Sequence, residues 1–102
     1  GASSTLLSGD AAGEICIWDI TTTFKCIQRL RIKPRHRVTV LKSGKLEVVS
    51  GDSGGFITIF WIESGKKIQQ CKAHESSITD LQFDATRVVS SAMDQSIKII
   101  DI

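Results

Sequence analysis

Ser8-Gly9-Asp10-Ala11-Ala12-Gly13-Glu14-Ile15-Cys16-Ile17-Trp18-Asp19 returns 42 residues later as Ser50-Gly51-Asp52-Ser53-Gly54-Gly55-Phe56-Ile57-Thr58-Ile59-Phe60-Trp61. It returns again, 40 residues on, as Ser90-Ser91-Ala92-Met93-Asp94-Gln95-Ser96-Ile97-Lys98-Ile99-Ile100-Asp101. A fixed period of this length means stacked copies of one supersecondary unit. An apolar pair precedes each copy: Leu6-Leu7, Val48-Val49 and Val88-Val89. Two apolar runs around a tight Gly/Ser/Asp turn read as a β-hairpin. The second strand of each hairpin is apolar on both faces. Ile57, Ile59 and Trp61 oppose Phe56, Thr58 and Phe60, and Ile15 and Ile17 oppose Cys16 and Trp18. A strand without a polar face needs cover on both sides, which sheets stacked face to face provide.

Working outward, each repeat gains two more strands. Inner strands are expected over 38–42 and 78–83, and outer strands over 26–32 and 68–71. With the four strands named a to d, the chain reads b-c-d, a-b-c-d, a-b-c. Residues 43–45 and 84–86 form the a–b turns; 21–24 and 63–67 form the c–d turns. Ile, Val and Thr total 28 residues against 6 Ala and 6 Leu. β-Branched side chains suit a pleated surface and lose rotamer freedom in helices, so the fold class is all-β.

These residues carry a resemblance to the WD-repeat (WD40) β-propeller family. They are Trp18-Asp19, the Gly13-Glu14-Ile15-Cys16-Ile17-Trp18-Asp19 run, and Ala73-His74 placed 16 residues before Ser90. The period fits the family's repeat of about 40–45 residues. The resemblance implies four-stranded antiparallel blades and a structural hydrogen-bond network joining His, Ser/Thr, Asp and Trp. His74, Ser90 and Asp94 match it in the third repeat, and Ser8 and Trp18 in the first. Departures stand beside the match. Phe60-Trp61 and Ile100-Asp101 replace Trp-Asp, and Ala73-His74 and Arg35-His36 replace Gly-His. The networks are therefore expected to be partial, with packing carrying more of the stability.

Propellers close with about 4–8 blades, so 102 residues hold an incomplete array of about two and a half. Blade parts are expected over about 5–32, 36–72 and 74–102, after a cloning scar or excision remnant at 1–4. The remaining blades belong to a longer chain, a second chain, or a ring of copies. Ile17, Trp18, Ile59, Phe60, Ile99 and Ile100 are expected to be mostly buried, being mid-strand with neighbours on both faces.

A net charge of +2 excludes a polybasic tail or an acidic solvating domain, and no apolar run is long enough to span a membrane. Cys16, Cys26 and Cys71 are odd in number and lack metal-ligand spacing. They read as reduced thiols of a cytoplasmic or nuclear protein, with no cofactor and no metal. No nucleophile elbow, phosphate-cradling glycine loop or zincin pattern occurs, so the chain reads as non-catalytic. The implied function is an interaction scaffold that binds protein or peptide partners through its loop faces. Asp10, Asp52 and Asp94 are expected to cap their turns.

One constellation stands out, and it reads either as a solvated strand edge whose charges block unwanted pairing or as a basic stripe for a partner. Arg29, Arg31, Lys33, Arg35 and Arg37 occupy every second position, which puts cations on one face of an extended segment. Pro34 has no N–H to donate, so the strand should stop near Ile32. Arg29 and Arg31 should then guard a strand edge. Arg35 and Arg37 should turn to the face formed by the d–a and b–c loops, with Asp52 and Glu75 as further contacts. The alternative function is a basic-stripe module for phosphorylated or acidic partners or nucleic acid. The scarcity of nearby aromatic rings disfavours single-stranded nucleic acid.

Overall fold

The computed structural model describes residues 5–19, 25–31, 35–44, 46–84 and 86–101. Residues 1–4, 21–24, Ile32, Lys33 and Pro34 lie outside that description, and with them the terminal remnant, the first c–d turn and the middle of the basic stripe.

Ten strands and no helix make up the described chain: β1 (Thr5–Gly9), β2 (Glu14–Asp19), β3 (Cys26–Arg31), β4 (Val38–Ser43), β5 (Glu47–Asp52), β6 (Phe56–Trp61), β7 (Lys67–Lys72), β8 (Ile78–Phe83), β9 (Arg87–Ala92) and β10 (Ile97–Asp101). They form three antiparallel sheets in the orders β1-β2-β3, β4-β5-β6-β7 and β8-β9-β10. That is b-c-d, a-b-c-d and a-b-c, an unclosed series of propeller blades.

The repeat extends to its irregularities. The c–d pairing shifts register between Ile17 and Trp18, and again at the equivalent Ile59 and Phe60. The a–b pairing shifts between Val38 and Val40, and again between Ile78 and Asp80. Glycine permits the blades to approach. A Cβ on Gly9 would sit 2.6 Å from Val38, and one on Gly51 2.6 Å from Ile78. Strand b of each of these blades thus lies directly against strand a of the next.

Two cores fill the gaps between sheets. Ile15, Ile17, Leu30, Val48 and Phe60 pack between the first and central sheets, with Leu7, Val38, Leu41 and Ile62 at the margin. Val49, Ile57, Ile59, Ala73, Ile78, Leu81 and Val88 pack between the central and third. Strand β6 supplies both: Phe60 faces one neighbour, Ile57 and Ile59 the other.

Burial departs from expectation at the ends of the array. Ile17, Ile59 and Phe60 are 1%, 5% and 3% exposed, whereas Ile99 is 65% exposed and Trp18 and Ile100 are half-buried. Ile99 is the equivalent of Ile17 and Ile59, but no sheet lies on its face of β10. The expectation counted neighbours along the sequence, and burial needs a further blade.

Candidate partner-binding face

The d–a connections and b–c turns meet at one end of the blades. In the first connection, Val38 N–H donates to Asp10 O at 3.0 Å and Ser53 N–H donates to Arg37 O at 2.9 Å. The Arg37–Val38 peptide is thereby clamped between the b–c turns of two successive blades. The second connection repeats the arrangement. Ala73 and His74 N–H donate to Gly55 O, and Met93 N–H donates to Ser77 O at 2.9 Å.

Aspartates build the turns. Asp10 Oδ1 accepts the N–H of Ala12 and Glu14; Asp52 Oδ1 accepts those of Gly54 and Phe56. Ala92 occupies this position in the third turn, and Asp94 Oδ1 accepts the Ser96 N–H instead. Asp52 differs from the other two in being 1% exposed. Its Oδ2 is buried and finds no partner among the described residues. Burial pushes its carboxyl above the usual carboxylate range, against the pull of the Phe56 and Gly54 N–H groups and of His36. A side chain so enclosed cannot touch a partner, which corrects the expectation of Asp52 as a contact.

The three repeat-equivalent serines take three different partners. Ser8 Oγ accepts the Trp18 Nε1–H at 3.0 Å. Ser50 Oγ donates to Thr58 O at 3.4 Å. Ser90 Oγ lies 2.9 Å from His74 Nε2, and His74 Nδ1 lies 2.6 Å from Ser96 Oγ. Ser96 Oγ in turn donates to Asp94 Oδ1, so Asp94 reaches His74 through Ser96 rather than directly. The Ser96 hydroxyl and N–H hold the Asp94 carboxyl below its ordinary range. Ser96 was missed in the sequence; its position two residues after Asp94, next to the turn, was the available signal.

In the central blade Gly54 and Phe56 stand where Asp94 and Ser96 do, and the histidine changes role. His36 stacks on Phe56 with ring centroids 5.7 Å apart and planes 14° apart. Lys72 Nζ lies 5.9 Å from the same ring and 3.2 Å from Glu75 Oε2. Sequence reasoning missed the aromatic pair because it looked for rings near the stripe along the chain, and Phe56 comes from the next hairpin.

The basic stripe divides. Arg29 and Arg31 both point to Glu14, at 2.9 and 3.8 Å, on the outer face of the first sheet. Arg35 and Arg37 are exposed on the clamped connection, and neither has an ion pair among the described residues. Glu75 is exposed on the second connection. The face therefore gathers Arg35, Arg37, Lys72 and Glu75 around the His36–Phe56 stack.

Cys16 and Cys71 are pushed up by burial, the opposite of an activated nucleophile. Among the described residues no three His, Cys, Asp or Glu side chains gather closely enough to hold a metal ion. No described helix is long and apolar enough to cross a membrane.

Residues 65–101, one full repeat of strands d, a, b and c, match the family model described as WD domain, G-beta repeat. That segment is similar to a WD repeat. The chain is 33% identical over 57 residues to Eukaryotic translation initiation factor 3 subunit I of Kluyveromyces lactis, covering 54% of this chain and 16% of that protein. The computationally designed Ika8 protein superposes on the whole chain with a TM-score of 0.87 at 29% identity, covering 31% of its own length. The Cps50 (Swd1) beta-propeller domain of Myceliophteria thermophila gives a TM-score of 0.85 at 17% identity over 96% of this chain and 31% of that one, a likeness of fold. The chain thus spans about a sixth of the curated relative and under a third of both solved chains.

Proposed function

We propose that this chain is a non-catalytic interaction scaffold of WD-repeat type, and that the d–a/b–c loop face binds an acidic or phosphorylated protein segment. The observation that carries the reading is the clamped connection bearing Arg35 and Arg37. The Arg37–Val38 peptide is held by two neighbouring turns, His36 between the two arginines stacks on Phe56, and both guanidiniums lack a carboxylate among the described residues. A rigid presenter of unpaired guanidiniums suits bidentate recognition of carboxylate or phosphate at low ordering cost. Arg29 and Arg31 share Glu14 and act as edge guards. Glu75, tied to Lys72, sets the polarity of the far rim. The free thiols of Cys16, Cys26 and Cys71 agree with a cytoplasmic or nuclear setting. Nucleic acid is the second reading. One stacked ring pair, with His36 already lying on Phe56, is a poor platform for successive bases.

The test is anisotropy of labelled peptides rich in glutamate or phosphoserine, at two salt concentrations. Replacing Arg35 and Arg37 with glutamine should weaken binding about tenfold or more, the loss of one to two charge-assisted contacts, and flatten the salt dependence. The Arg29/Arg31 double replacement should leave affinity within about twofold and raise aggregation. Equal affinity of wild type and the Arg35/Arg37 variant overturns the reading.

A further inference from the structure

Cys16, Cys26 and Cys71 are all free thiols, and two of them share one place. Strands β2 and β3 pair with Glu14 opposite Arg31, Cys16 opposite Arg29 and Trp18 opposite Cys26. Paired residues point to the same face of a sheet, so these six side chains form one patch on the outer face of the first sheet. The register shift between Ile17 and Trp18 puts Cys26 there. Without it Ile27 would oppose Trp18, and Cys26 would point to the other face. Cys16 and Cys26 are diagonal neighbours on adjacent strands, and their thiols lie within hydrogen-bonding reach of each other. Both are half-buried, and neither is enclosed.

The surroundings give the two thiols different roles. Cys26 Sγ–H donates to Gln28 O at 3.3 Å, and Cys16 Sγ–H to Glu14 Oε1 at 3.8 Å. The Arg29 guanidinium, 2.9 Å from Glu14, attracts negative charge at both sulfurs and more strongly at Cys26. Cys16 is pushed up, by burial first and then by Cys26. Cys26 is therefore the attacking thiol and Cys16 the resolving one. The sister blades hold no such pair. Thr58 and Lys67 occupy these places in the central sheet, and Lys98 replaces Cys16 in the third. Cys71 sits apart, packed against the core between the central and third sheets.

We propose that Cys16 and Cys26 form a reversible disulfide on reaction with a small-molecule disulfide of the glutathione type. The Cys26 thiolate attacks one sulfur of glutathione disulfide. That S–S bond breaks, and one glutathione leaves as a thiolate that takes up the proton Cys26 released. Cys16 then loses its proton and attacks the Cys26 sulfur of the mixed disulfide, and the second glutathione leaves and is protonated. Two electrons and two protons pass from the protein to the glutathione pair, and one Sγ–Sγ bond joins β2 to β3. The sheet already holds the two sulfurs together, so the second step is intramolecular at short range. A bond of this kind is transient in a reducing compartment and reports its redox state.

The experiment incubates the full chain in glutathione buffers from reduced to oxidised, quenches with acid, blocks the remaining thiols with N-ethylmaleimide and reads the intact mass. Blocked thiols should fall from three to one as the oxidised share rises, and dithiothreitol should restore all three. Trypsin cuts after Lys25 and Arg29, so the bond should appear as peptide 1–25 joined to peptide 26–29. Cys71→Ser should oxidise like wild type. Cys16→Ser should stop with one glutathione on Cys26, and Cys26→Ser should take up glutathione at least tenfold more slowly. The proposal is overturned if the joined peptides do not form in glutathione disulfide, if Cys71 is consumed as fast as the pair, or if Cys26→Ser takes up glutathione as fast as Cys16→Ser.

Discussion

At the scale of single residues, the three blades share positions but not chemistry. Ser8, Ser50 and Ser90 hold one place in the repeat, yet an indole, a backbone carbonyl and an imidazole are their respective partners. Asp52 has a buried Oδ2 with no partner among the described residues. Its carboxyl is raised above the ordinary range. The native state then holds a proton that the unfolded chain has released in the window between the ordinary value and the raised one. Stability from this group is present below that window and lost as pH rises through it. Asp84 and Asp94, both held low, act in the opposite sense, lending stability at neutral pH that is lost as pH falls. Asp52→Asn keeps the acceptor for the turn and removes the charge. It should raise stability at pH 7 by about 1 kcal/mol, since an orphaned neutral amide costs less than an orphaned carboxylate. The difference between the two unfolding curves should vanish at acid pH. A variant less stable than wild type at pH 7 would mean that Oδ2 has a partner there.

Elements show the repeat most plainly. The b–c turns share a hydrogen bond: Gly13 N–H to Asp10 O, Gly55 N–H to Asp52 O, and Gln95 N–H to Ala92 O. All three donors sit at positive φ, at 79°, 85° and 67°. Glycine adopts that conformation freely, but a side chain with a Cβ is strained by about 1–2 kcal/mol. Gln95→Gly should therefore stabilise the chain by about 0.5–1 kcal/mol after the entropy glycine gives back, read as a rise in the denaturant midpoint with unchanged m-value. A lower midpoint would show that the Gln95 side chain contributes contacts worth more than the strain. Strand count, order and turn sites were legible because the hairpin pattern is local: alternation, a Gly/Asp turn, alternation again. The His74–Ser96–Asp94 relay was half legible, since the resemblance to WD repeats implied the ends but not the hydroxyl between them. The inward turn of Asp52 and the His36–Phe56 stack were not legible. Both depend on Gly54 and Phe56 replacing polar residues, and on a connection arriving from the previous blade.

For the whole molecule, the same residue type at one repeat position meets two environments. Ile17 and Ile59 are enclosed between sheets, while Ile99 looks outward. The outward face of the third sheet also carries Ser91, where Gly9 and Gly51 admit Val38 and Ile78 of the following blade. Alanine substitution separates position from environment. Ile59→Ala empties a packed core and should cost about 2–5 kcal/mol. Ile99→Ala removes a side chain that touches little and should fall within about 0.5 kcal/mol. Exposure of Val89, Ile97 and Ile99 on one face, and of Leu6 and Ile27 on the other, should instead show as concentration-dependent association. Ile97→Lys with Ile99→Lys should lower that association in sedimentation while leaving the unfolding midpoint nearly unchanged. Comparable losses of stability from Ile59→Ala and Ile99→Ala would mean that β10 is covered in solution, and the sedimentation coefficient would then identify the cover as a second copy or exclude it.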